Sequence, residues 1–182
     1  MRGHFLRVIA DVIFEIKMKI TLLESIEKRM KILKMDFRDD SWRNPLPSDP
    51  GWYFIETNTP PERFKEVGKP KGERHYNIPK KTNASSSLEQ VGACILPSEN
   101  SFYFVYSGEA KNLKARAREH VSGHDKTGCL ALQNYPLLHK YEWNFHFSPC
   151  LFGNDPNESK LVRIFGEQLW RAKYGWPILC GK

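Results

Sequence analysis

Arg116 and His120 are the two side chains best placed to act together. They lie four residues apart in the run LKARAREHV, so on a helix they stack on one face. Leu113 and Ala117 share that face, and the four residues make one broad stripe. Lys114 and Arg118 fall outside it, toward solvent. A guanidinium beside an apolar stripe is costly unless an anion pairs with it. Two readings follow: an Arg that meets an anionic ligand, or an edge Arg that snorkels beside a satisfied core His. Glu167 offers a different chemistry. It falls three residues from Ile164, on the border of the stripe Leu161, Ile164, Phe165 and Leu169. A carboxylate there is either solvated or the metal ligand that the Arg–His helix lacks.

Several elements must hold these groups. Residues 102–106 are aromatic or β-branched and read as a strand. Gly108 then suits a tight turn. Asn112 is the N-cap of a helix running to about Val121, with Leu113, Ala117 and Val121 toward the sheet. Asp49-Pro50-Gly51 is a turn signal before a buried strand, Gly51–Ile55. Residues 57–100 form an irregular insertion marked by Pro60, Pro61, Pro70 and Pro79. Within it Glu62–Val67 suits a short helix and Val91–Leu96 another strand. A short helix is expected around Leu130–Leu138. Tyr141–Phe147 alternates like a half-buried third strand. A last helix runs from Glu158 to about Lys173, ended by Gly175 and Pro177. Upstream, residues 5–35 read as one long amphipathic helix, suited to packing on the domain or to a coiled-coil seam. A linker with Pro45, Pro47 and Pro50 follows. The expected organisation is 1–47, helix and linker, and 48–182, an α/β domain with helices on a three-stranded sheet.

In register, these residues resemble a known family. Tyr106-Ser107-Gly108, then Leu113, Arg116 and His120, resembles the second half of the GIY-YIG nuclease signature. Gly51-Trp52-Tyr53 is similar to its first half, and Glu167 to the acidic residue of its later helix. The resemblance covers roughly residues 50–180. Ser107 replaces an apolar residue, the spacer between the two tyrosine motifs is longer, and Pro177-Ile178-Leu179-Cys180 lacks an Asn often found there. The resemblance implies a mainly antiparallel sheet and an endonuclease hydrolysing phosphodiester bonds in DNA with Mg²⁺ or Mn²⁺. It implies that Glu167 holds the metal, that Tyr53 is the general base, and that His120 orients Tyr53 or accepts its proton. Arg116 would clamp the scissile phosphate with two bonds, and Tyr106 would position water or phosphate. A DNA-binding module of the same fold without catalysis, and an oligomerisation protein acting through its N-terminal helix, are the alternatives.

Charge agrees with an anionic partner. The chain has 182 residues and a net charge of +7, which favours nucleic acid, with double-stranded DNA as the expected form. Lys80 and Lys81 in the insertion, and Lys111, Lys114 and Arg118 beside the motif, are the expected DNA contacts. The four cysteines are widely spaced without a C-x-x-C pair, so free thiols in a reducing cytoplasm are expected. No run of about 20 apolar residues predicts a membrane span. A homodimer through the N-terminal helix is a further expectation.

Overall fold

A computed structural model describes residues 19–98, 101–150 and 156–180. Its centre is a four-stranded antiparallel sheet of β1 (Lys31–Lys34), β2 (Gly51–Thr57), β3 (Tyr103–Ala110) and β4 (Trp143–Pro149), in the order β1-β4-β2-β3. β2 lies between two partners, so both its edges are paired, and helices cover both its faces. Its aromatic and β-branched side chains suit that position. On one face Tyr53, Ile55, Val105 and Phe145 pack with Leu113, Ala117 and Val121 of α5 (Leu113–Ser122). On the other, Trp52 and Phe54 pack with Trp170 of α6 (Pro156–Tyr174) and with Ile26. Ile26 belongs to a helix over 19–28 (α1).

Between β2 and β3 lie three short helices, α2 (Pro61–Glu66), α3 (Ile78–Ala84) and α4 (Ser86–Gln90). The outer edge of β3 is closed by a 3-10 turn, Ile178–Cys180. There the Ser107 backbone N–H donates to Cys180 Sγ at 3.4 Å, and the thiol lies 3.6 Å from the Ser107 carbonyl oxygen. This satisfies backbone groups that an edge strand would otherwise expose.

The structure corrects several expectations. The sheet has four strands, because Lys31–Lys34 pairs with β4 instead of continuing the N-terminal helix. The first part of that expected helix, residues 5–18, lies outside the described residues. Within 19–28, Ile26 is fully buried on the domain and Leu22 and Leu23 pack against the same cluster, while Ile20 is exposed. Val91–Leu96 is not a strand; only Cys94 makes an isolated bridge, to Trp176. Around Leu130–Leu138 there are two 3-10 turns, not a helix. Gly108 is not a turn but a residue inside β3.

The inward face of α6 also differs. Leu161, Ile164 and Phe165 are exposed, while Ser159, Arg163, Gly166, Glu167 and Trp170 are buried. The reason is pairing. Arg163 Nε donates to Glu109 of β3 at 2.8 Å, and the Trp52 indole N–H donates to the Arg163 carbonyl at 2.7 Å. Gly166 leaves room for that indole: a Cβ there would lie 2.7 Å from Trp52 Nε1. Polar partners waiting on the sheet rotate the helix away from its apolar stripe.

Candidate active site

Tyr53 projects from β2 and meets β3 at Gly108, its register partner. The same register carries Phe54 to Ser107 and Ile55 to Tyr106, and it shifts only after Ile55, so that Glu56 faces Phe104. Tyr106, two residues before Gly108, shares its face and so lies on the Tyr53 side, where the two rings stack with centroids 6.0 Å apart; the extra residue, Val105, falls beyond that pair. Above them runs α5. Its start is held by Asn112, whose side chain accepts from the Ala115 N–H at 2.8 Å, a cap worth about 1 kcal/mol. Arg116 and His120 hang from the face that this start directs toward the sheet.

The three side chains join. His120 Nε2 lies 3.0 Å from Tyr53 Oη, and Arg116 Nε donates to the same oxygen at 2.9 Å. His120 Nδ1 accepts the Leu130 backbone N–H at 3.3 Å. In a neutral imidazole that acceptor role leaves the proton on Nε2. Nε2–H therefore donates to Tyr53, whose oxygen accepts from both neighbours. The His120 ring also lies 4.7 Å from the Tyr106 ring.

The electrostatics define their roles. His120 is fully buried. Burial, then the Arg116 charge, holds its pKa well below the ordinary histidine value. His120 is neutral and serves to orient Tyr53; of the two expected roles, taking its proton is not available to a nitrogen that already carries one. Burial raises the Tyr53 phenol above its ordinary value, and Arg116 offsets only part of this. The two donated bonds would favour a phenolate, but the site is dry enough that desolvation prevails. Tyr53 is thus a protonated phenol at rest, not the ready base that the resemblance implies. With its lone pairs taken, its own O–H is the function left to offer. Burial raises the Tyr106 phenol likewise.

Arg116 divides its donors. Nε serves Tyr53, and NH1 pairs with Glu119 at 2.8 Å. Both partners of the ion pair are about one-seventh exposed, at 16% and 14%. The expected two-bond phosphate clamp is therefore closed by Glu119 and must be opened by a competing anion. Just outside is a cavity of about 470 Å³ whose lining includes Tyr76, Glu109, Lys111, Arg116, Glu119 and Thr127. Tyr53, 1% exposed, lies behind this wall.

Glu167 stands on the α6 side of the sheet. Its Oε1 accepts from Ser107 Oγ at 3.3 Å and pairs with Arg171, which also donates to Ser107 Oγ at 2.8 Å. Burial raises the Glu167 pKa, and Arg171 pulls it down less. Its charge is felt at Tyr53, where it opposes the phenolate. The donor set does not fit a resident Mg²⁺ or Mn²⁺. Glu167 is already neutralised by Arg171 and the neighbouring Glu109 by Arg163, and no group of three His, Cys, Asp or Glu ligands exists among the described residues.

The expected DNA contacts divide among three places. Lys111 lines the Arg116 cavity. On α3, Lys80 is exposed, and Lys81 lies 4.4 Å over the Tyr76 ring. Lys114 and Arg118 line a separate cavity instead of simply facing solvent. Sequence reading missed Tyr76 and Glu119. Tyr76 stacks beside Tyr106 with centroids 6.1 Å apart, but stands in an aperiodic stretch without a motif. Glu119 was legible as the i+3 neighbour of Arg116, a signal that only its burial makes meaningful. Comparison with protein-family models, curated proteins and solved structures found no significant match.

Proposed function

We propose that this chain is an endonuclease of the GIY-YIG type that hydrolyses phosphodiester bonds in DNA. The observation that carries the reading is the Tyr53–Arg116–His120 junction. Three residues matched to that signature from sequence spacing meet at one phenol oxygen, beside a cavity edged by lysine. A phosphate entering the cavity competes with Glu119 for NH1 and can then take two parallel bonds from the guanidinium. Arg116 stabilises the charge that grows on the phosphoryl oxygens. Tyr53 and Tyr106, both protonated, donate toward the leaving oxygen, and the Glu119 carboxylate released from Arg116 accepts the proton of the attacking water. His120 keeps Tyr53 in place. The Mg²⁺ or Mn²⁺ of the resemblance enters only as a condition of the assay.

A second reading is a DNA-binding module of the same fold without catalysis. The occluded Tyr53 and the occupied Glu167 carboxylate favour it. Supercoiled plasmid incubated with the protein in Mg²⁺, in Mn²⁺ and in EDTA separates the two. Nuclease activity predicts nicked or linear product that Arg116→Ala no longer forms. Uncut plasmid that is nonetheless bound supports the second reading. Cleavage by Arg116→Ala at the parent rate removes the site assigned here.

A further inference from the structure

On the other side of the first turn of α5 lies a second cavity, of about 370 Å³, whose lining includes Asp40, Arg43, Asn44, Asn112, Lys114 and Arg118. We infer that it binds a phosphodiester of a nucleic-acid backbone, adjacent to the phosphate that Arg116 takes. The identity of the second phosphate rests on the proposed function, whereas the anion chemistry rests on the cavity itself.

Arg43 is the deciding residue. It is 7% exposed, at the end of a 3-10 helix, Asp40–Arg43. Its NH2 pairs with Asp40, but its NH1 is buried with no hydrogen-bond partner among the described residues. A buried guanidinium donor without an acceptor is unfavourable, and an anion beside it relieves that. The cavity has three cationic side chains, Arg43, Lys114 and Arg118, against one carboxylate, Asp40.

The helix end does not supply the site. The Leu113 and Lys114 N–H groups donate to the Asp49 and Pro47 carbonyls, each at 3.1 Å, and the Ala115 N–H to Asn112 Oδ1. Side chains therefore do the binding, with planar guanidinium groups suited to phosphate. Lys114 and Arg118 are four residues apart and share one side of α5. Asn112 and Ala115 line both cavities, so the two anion sites are separated by a single helical turn. A strand crossing the start of α5 would place one phosphate on each side.

The test reads binding, not cleavage. Anisotropy of a labelled duplex is followed against KCl for the parent and for Lys114→Gln with Arg118→Gln. A charge-matched control carries Lys65→Gln with Lys160→Gln, both exposed in the parent and outside the two cavities. The cavity variant should lose about tenfold or more in affinity and about 1–2 from the slope of log affinity against log salt, and the control much less. Equal losses in the two variants overturn the proposal, as does a parent that does not bind duplex. Inorganic phosphate tests the other source of the same chemistry. Phosphate that saturates the parent at low millimolar concentration, with duplex affinity equal in parent and cavity variant, makes this a free-phosphate site and overturns the backbone assignment. Arg43→Gln, where it folds, should lower duplex affinity as well. A protein that shows the cavity-dependent binding but cuts no plasmid removes the nuclease reading and leaves this site standing.

Discussion

Gly108→Ala tests the centre of the site by a single methyl group. A Cβ at Gly108 would lie 2.3 Å from Tyr53 Oη and 2.4 Å from its Cζ. An ordinary contact begins near 3.4 Å, so the gap to be made is 3.4 − 2.3, or 1.1 Å. The Tyr53 ring has little room to give it. Phe145 stacks on it at 5.5 Å with planes 6° apart, and Tyr106 stacks at 6.0 Å. The strand is also held in register by β2. Moving Oη by about 1 Å away from His120 or Arg116 stretches bonds of 3.0 and 2.9 Å beyond hydrogen-bonding range. Overpacking of this kind typically destabilises by about 1–3 kcal/mol. A misplacement of about 1 Å in a reacting group slows catalysis by roughly 10²-fold. Urea unfolding should show the first, and single-turnover plasmid cleavage at saturating protein the second. A Gly108→Ala protein with parental stability and rate would mean that Tyr53 does not face Gly108, and the register that builds the junction would be wrong.

Arg116→Lys keeps the charge but cannot serve Tyr53, Glu119 and a phosphate with one ammonium group. It should lose about 10²–10³ in single-turnover rate, nearly as much as Arg116→Ala, and a Lys variant of parental rate would refute the clamp. Glu167→Gln takes the carboxylate from a half-buried Arg171 that keeps Ser107 and Trp176 as partners, and should lower unfolding stability by about 1–3 kcal/mol. An unchanged urea midpoint would show that the carboxylate is not engaged by Arg171 and is free to hold a cation. His120 has a depressed folded-state pKa, because burial and Arg116 disfavour its charged form. Its stabilising contribution is therefore complete above the unfolded value of about 6.5 and lost as pH falls below it, at about 1.4 kcal/mol per pH unit. Urea midpoints between pH 7.5 and 5 should fall more steeply in the parent than in His120→Asn, and parallel curves would refute the neutral histidine.

Local pattern determined a good part of this protein by itself. β2 and β4 were legible in aromatic and β-branched runs, and α5 in its apolar spacing and its Asn112 cap. The end of α6 was legible too: Gly175 adopts a φ of +103°, which few other residues tolerate. The spacing of Arg116 and His120 alone puts both on one helical face. Periodicity, however, states which residues share a face and not what that face meets. Only the tertiary structure decided that Gly108 stays within the strand, because the reason is a tyrosine ring 55 positions upstream. Only the sheet decided that α6 turns Arg163 and Glu167 inward and leaves Leu161 and Phe165 exposed, since Glu109 and Ser107 wait there as partners. The same holds for Lys31–Lys34, whose four residues carry too weak a local preference to leave the helix until β4 offers an unpaired edge. Arg43 belongs with them. In sequence it is one cation in a proline-flanked linker, and burial leaves its NH1 without an acceptor while NH2 pairs with Asp40.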